Sequence, residues 1–221
     1  MWEQFLDISA WVVPVLTAII LHEVAHGWVA EKLGDPTARI LGRITLNPLR
    51  HIDPVGTILF PAVLIAINAP LVFGSAKAVP VNFSLLRPKR LGMALVALAG
   101  PATNVLLALL SGLLLHIDKL VTPEQAPWLF TNLYRSLMLN CVLISFNLIP
   151  LLPLDGGRVV ASLLQGRALR GWMRLEKWGI VILLVLLLVP PYFGMDFLQQ
   201  MLLAPTFWLI EGFLFITGNS S

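Results

Sequence analysis

His22, Glu23 and His26 lie together in an otherwise apolar run, "AIILHEVAHGWVA" at residues 18–30. Residues four apart share one face of a helix, so both imidazoles can meet a single ion. Glu23, at a neighbouring angle, can reach a water bound to that ion. The pattern is H-E-x-x-H, and its mechanics are those of zinc hydrolases: two neutral imidazoles hold the metal and the glutamate serves as general base. The alternative is that the histidines simply hydrogen-bond neighbouring helices. Ionisable groups inside a lipid-buried helix cost several kcal/mol unless they are paired or coordinated, which favours the metal.

Two histidines leave zinc short of one protein ligand and a water. The second polar cluster is "NLIPLLPLDGG" at residues 147–157, and its carboxylate is Asp155. Pro150 and Pro153 break the helix ahead of it, and the two following glycines let the backbone pass close to a buried centre. The competing reading is an ordinary helix end with Asp155 as its cap.

The elements that must position these residues belong to a membrane protein. Of 221 residues, 57% are hydrophobic and 12% charged, more apolar surface than a soluble domain could hide. The first long apolar run already holds His22, Glu23 and His26, so it reads as a retained anchor rather than a discarded leader. Cys141 has no partner, which excludes an intrachain disulfide and a multi-cysteine metal site. The net charge of +3 comes from residues between apolar runs without base-stacking aromatics, so it reflects membrane topology and not nucleic acid.

Runs long enough to cross the bilayer fall near residues 8–31, 54–73, 91–116, 130–154, 178–195 and 197–217. The expected fold is an all-α polytopic membrane protein with about five or six transmembrane helices and a single domain over 1–221. If all six runs cross, the cations divide almost evenly between the two sides. If residues 54–73 re-enter and return, all of the 15 Lys and Arg residues except Lys119 and Arg135 share one face. The positive-inside rule favours that threading, with the N-terminus outside. Pro54, Gly56, Pro61, Asn68 and Pro70 suit a broken segment. The same threading brings the later part of the first span and the end of the fourth run to one side, where His22, His26 and Asp155 can meet.

In this setting "HEVAH", "ALAGPATN" at residues 97–104 and "NLIPLLPLDGG", in that order, resemble the site-2 proteases, a family of intramembrane zinc metalloproteases. The resemblance covers roughly residues 15–160. It implies one zinc per chain held by His22, His26 and Asp155, with Glu23 as catalytic base, and a three-helix catalytic core from the spans at 8–31, 91–116 and 130–154. The catalytic region then runs over about 8–160, followed by a helical hairpin over about 178–217. The chain has no room for the PDZ or CBS domains of many members, and its P-L-D-G departs from the N-P-D-G of some relatives.

The implied activity is hydrolysis of peptide bonds in or near transmembrane segments of membrane proteins. A helical substrate must unwind first, and its freed backbone groups need partners. "RILGRITLN" at 39–47 and "AKAVPVNF" at 76–83 are β-prone and bounded by Gly and Pro, so they are expected to form a small cytoplasmic-side β element that a substrate strand can join. Asn104 and Asn147 are candidates for substrate or oxyanion contacts. His51 is a candidate for a supporting or gating role near the metal. Residues 166–178, "GRALRGWMRLEKW", alternate basic and apolar groups with helical spacing and are expected to lie along the cytoplasmic surface as an anchor.

The compact design suggests a prokaryotic cytoplasmic membrane, with the active site in its cytoplasmic half. Two other classes stay open: a membrane zinc transporter, and a catalytically silent relative that binds membrane peptides. Partners are transmembrane proteins or peptides and the lipid bilayer, with the oligomeric state left open.

Overall fold

A computed structural model describes residues 2–66, 74, 76–192 and 197–219. They form the helices α1 (Trp2–Lys32), α2 (Thr37–Ile40), α3 (Phe60–Ala66), α4 (Lys89–Leu114), α5 (Pro127–Asn147), α6 (Asp155–Leu163), α7 (Gly166–Tyr192) and α8 (Phe197–Ile216). Among the described residues, three stretches are long and apolar enough to cross a membrane: Leu6–Lys32, Lys89–Lys119 and Pro127–Asn147. These are α1, α4 with the 3-10 turn that extends it, and α5. They coincide with the three runs expected around the chemistry, and each packs against the other two.

Small residues let the helices approach, and apolar ones fill the gaps. Ala108, Leu137, Cys141, Ile144, Ile210 and Phe213 form a buried cluster where α4, α5 and α8 meet, so Cys141 is a core residue. A second cluster of Ala30, Leu86 and Val96 joins the end of α1 to the start of α4. Outward, α1 exposes Val12 and Val13, and α4 exposes Leu106 and Leu113. Lipid solvates such a surface where water would not.

The run at 54–73 does not begin as a regular helix. Pro54–Leu59 forms a π-helical turn that continues into α3, and residues 67–73 lie outside the described residues. Gly74 is back beside the start: a Cβ built there would sit 2.9 Å from both the Gly56 carbonyl oxygen and the Pro61 ring. Three residues on, the Lys77 N–H donates to the His51 carbonyl at 2.9 Å.

The expected β element is corrected: no strand occurs among the described residues. Residues 39 and 40 close α2, and the chain then turns, with the Gly42 and Arg43 amides donating back to Arg39 and Ala38. Residues 76–82 run without regular structure, and side chains rather than a ladder satisfy several of their backbone groups. The Arg43 guanidinium donates to the Lys77 carbonyl at 2.6 Å. The fully buried Asp35 accepts the Asn82 N–H at 2.6 Å and the Thr37 N–H at 3.0 Å. Local partners meet the backbone's requirement, so β propensity has no ladder to express.

After α5 the chain turns through residues 148–154 into α6, and α7 packs on that turn. A Cβ at Gly179 would lie 1.8 Å from the Leu152 carbonyl oxygen, so α7 touches the turn through bare backbone. Gly179→Ala should therefore push the two apart and lower stability by about 1–3 kcal/mol despite the better helix propensity of alanine. Thermal unfolding in detergent followed by circular dichroism checks this; an unchanged midpoint would contradict the contact.

Candidate metal centre

His22 and His26 face one way from α1 and are both buried. Asp155 opens α6, where the helix N-terminus favours a negative charge. Gly156 and Gly157 permit the tight turn before it: Cβ atoms there would fall 2.3 Å from the Leu148 oxygen and 2.4 Å from the Leu151 and Leu152 backbone. The turn brings Asp155 Oδ2 to 3.2 Å from His22 Nε2 and 3.4 Å from His26 Nε2, with the two Nε2 atoms 3.0 Å apart.

The partners of the other ring nitrogens fix what these atoms carry. His26 Nδ1 lies 2.6 Å from the Val96 carbonyl oxygen, which can only accept, so the proton sits on Nδ1. His22 Nδ1 lies 2.6 Å from Asn104 Oδ1. The Asn104 amide is oriented in turn, because its Nδ2 donates to Asn140 Oδ1 at 2.7 Å and faces the Ala18 carbonyl at 3.5 Å. Asn140 Nδ2 donates to the Ser136 carbonyl at 2.8 Å. Starting from that backbone carbonyl, every donor points the same way, and the line ends with a proton on His22 Nδ1. Both Nε2 atoms therefore present lone pairs to each other and to Asp155.

This arrangement holds three acceptors and no donor, and Asp155 Oδ2 is buried without a hydrogen-bond partner. Lone pairs this close repel unless a cation sits among them. The three separations also match the edge of about 3.3 Å expected for a tetrahedral zinc with ligand bonds of roughly 2.0–2.1 Å. The three residues are a group able to hold one metal ion, and they fit zinc. Space for the ion is kept by Gly100 on α4, where a Cβ would come within 2.5 Å of both Nε2 atoms.

Glu23 is half-buried, and its Oε2 accepts the Val79 N–H at 2.7 Å. The segment at 76–82 is thereby tied to α1 beside the ligands. Asn104 is fully buried, and its amide serves His22 and Asn140. The amide thus bridges α1, α4 and α5 and orients the His22 ring. Asn147 donates to the Leu143 carbonyl one turn back along α5, at 3.0 Å. His51 is not part of the group of three. It is buried beside a cavity of about 260 Å³ lined by Val15, Leu16 and Ile19 of α1, and its Nε2 donates to the Thr45 carbonyl at 2.8 Å.

Sequence reasoning passed over Asn140 and the Val96 carbonyl. For Asn140 a signal existed, since an amide inside the apolar run "SLMLNCVLISF" calls for a buried partner.

The chain is 38% identical over 183 residues to "Putative zinc metalloprotease YwhC" of Bacillus subtilis, a match covering 81% of this chain and 80% of that protein. The chain belongs to the YwhC family. Relatives with the name "Putative zinc metalloprotease Rip2" are less similar. The Mycolicibacterium smegmatis protein is 29% identical over 84% of this chain and 67% of its own length. The Mycobacterium tuberculosis H37Rv protein is 28% identical over 89% of this chain and 71% of its own. No family model and no solved structure matches. The relatives' names agree with the metal type that the three ligands fit.

Two substitutions test the centre without reference to turnover. Gly100→Ala should leave helix content intact and weaken zinc binding by about ten-fold or more, because the added methyl occupies the ligand face. Asn140→Leu should weaken it by about ten-fold through loss of the amide that orients Asn104 and hence His22. Chelator competition measures both, and parent-like affinity in either would contradict the corresponding contact.

Proposed function

We propose that this protein is an intramembrane zinc metalloendopeptidase of the site-2 protease type, hydrolysing peptide bonds in or near transmembrane segments. The observation that carries this reading is the convergence of the buried His22 and His26 with the half-buried Asp155 among helices of membrane-crossing length. Zinc held by these residues, one per chain, supplies Lewis acidity that polarises a peptide carbonyl and acidifies water.

The residues of the chain do the rest. Glu23 takes a proton from the water as its oxygen attacks the scissile carbonyl, and returns that proton to the leaving amine as the C–N bond breaks. The Val79 N–H holds one oxygen of the carboxylate and leaves the other for the proton. Val96 and Asn104 keep the protons of both imidazoles on Nδ1, away from the reacting groups. Residues 76–82 lie beside Glu23, and an unwound substrate segment lying along them pairs its freed backbone groups there. The substrate reaches the site from the bilayer and the water from the nearby aqueous face.

The return of Gly74 to Gly56 and Pro61 supports a re-entrant segment at 54–73 over a full crossing. With that threading the N-terminus lies outside and the active site in the cytoplasmic half of the membrane. The bacterial sources of the relatives support a prokaryotic cytoplasmic membrane.

Cleavage of a panel of transmembrane peptides in liposomes, paired with zinc analysis, tests the reading. Glu23→Gln should keep zinc and lose at least about 100-fold in kcat. Asp155→Ala should lose zinc and cleavage together. Turnover surviving in Glu23→Gln would overturn the mechanism, and zinc retained without Asp155 would overturn the ligand assignment.

A further inference from the structure

The first half of α7 carries Arg167, Arg170, Arg174 and Lys177, all exposed. At about 100° per residue, these positions fall within an arc of roughly 80° on the helix surface. None of the four joins an ion pair among the described residues, where the cations that do are Arg39, Arg135 and Arg158 besides the metal-site histidines. The opposite face is the packed one. There Trp172 Nε1 donates to the Gly157 carbonyl at 2.8 Å, Glu176 meets Arg158 at 2.6 Å, and Gly179 lies against Leu152. The cationic stripe thus points away from the protein.

What surrounds the stripe narrows its partner. Trp178, 63% exposed, lies about 20° beyond the edge of the cationic arc, and Leu175, 40% exposed, lies between that arc and the packed face. Trp178 also opens the apolar run that continues along α7 to residue 192. Water suits the cations but not the apolar groups, and a hydrocarbon interior suits the reverse. The boundary between headgroups and acyl chains suits both, provided that the headgroups carry negative charge. Arg90 adds to this end of the molecule. It donates to the Leu163 and Leu164 carbonyls just ahead of α7, and the neighbouring Arg87 and Lys89 are exposed.

We propose that the first half of α7 is a binding surface for anionic phospholipid headgroups, with the guanidinium groups of Arg167, Arg170 and Arg174 and the Lys177 ammonium on the phosphates and Trp178 at the acyl boundary. Arginine suits this role because its planar fork pairs with phosphate oxygens two at a time. The inner face of the same helix braces the turn that carries Asp155, so bound lipid also steadies the metal-site side of α6.

The test needs no turnover and is independent of the peptidase reading. The protein is reconstituted into vesicles containing equal mole fractions of phosphatidylglycerol and phosphatidylcholine, with bromine on the acyl chains of one lipid or the other. Trp178 emission is the difference between the parent and Trp178→Phe. Brominated phosphatidylglycerol should quench that signal about two-fold more than brominated phosphatidylcholine, reflecting local enrichment. The preference should vanish when Arg167, Arg170, Arg174 and Lys177 are all replaced by Gln, and fall part-way in Arg170→Gln and Arg174→Gln alone. Equal quenching by the two lipids in the parent, as a stripe made for an acidic protein would give, overturns the proposal. So does a preference that survives in all of these variants.

Discussion

Two imidazole lone pairs and a carboxylate oxygen, buried within hydrogen-bonding distance of one another and without a proton among them, set the terms for the rest of this molecule. In water such a trio would separate or hydrate. Here α1 fixes the histidines one turn apart, and the turn before α6 fixes Asp155 opposite them. The apolar surroundings magnify every unbalanced charge. A divalent cation is the simplest species that turns mutual repulsion into binding, and much of the nearby structure maintains that demand.

The supporting groups act at increasing distance. Val96 and Asn104 determine which nitrogen of each ring carries the proton, and Asn140 and the Ser136 carbonyl determine which way Asn104 faces. Gly100 gives up its side chain so that α4 can lie against the ligands. Gly156, Gly157 and Gly179 do the same for the turn that carries Asp155 and for α7 behind it. The polar groups fix orientation and the glycines fix distance.

The parts of this design that follow from local spacing were legible in the sequence. His22 and His26 share a helix face by arithmetic, and an aspartate followed by two glycines after paired prolines marks a turn near a buried centre. The three membrane-length helices among the described residues fall on three of the six apolar runs, and the apolar runs alone did not single them out. Long-range partners were not legible, because nothing in "SLMLNCVLISF" states which helix Asn140 will face. Asn104 drew notice as a polar residue in a span, but its use depends on packing geometry that spacing does not encode. The β element failed for a related reason. Residues 39–47 and 76–83 have strand-forming side chains, yet Asp35, Glu23 and Arg43 supply partners to the backbone of the second segment, while the first satisfies itself in turns.

Zinc K-edge X-ray absorption on the purified protein tests the central claim most directly, because it reports the ligand shell without reference to catalysis. The expected spectrum shows a first shell of nitrogen and oxygen at about 2.0–2.1 Å, with the outer scattering of two imidazoles and no sulfur. A sulfur ligand, a different number of imidazoles, or failure of the protein to bind zinc would contradict that claim.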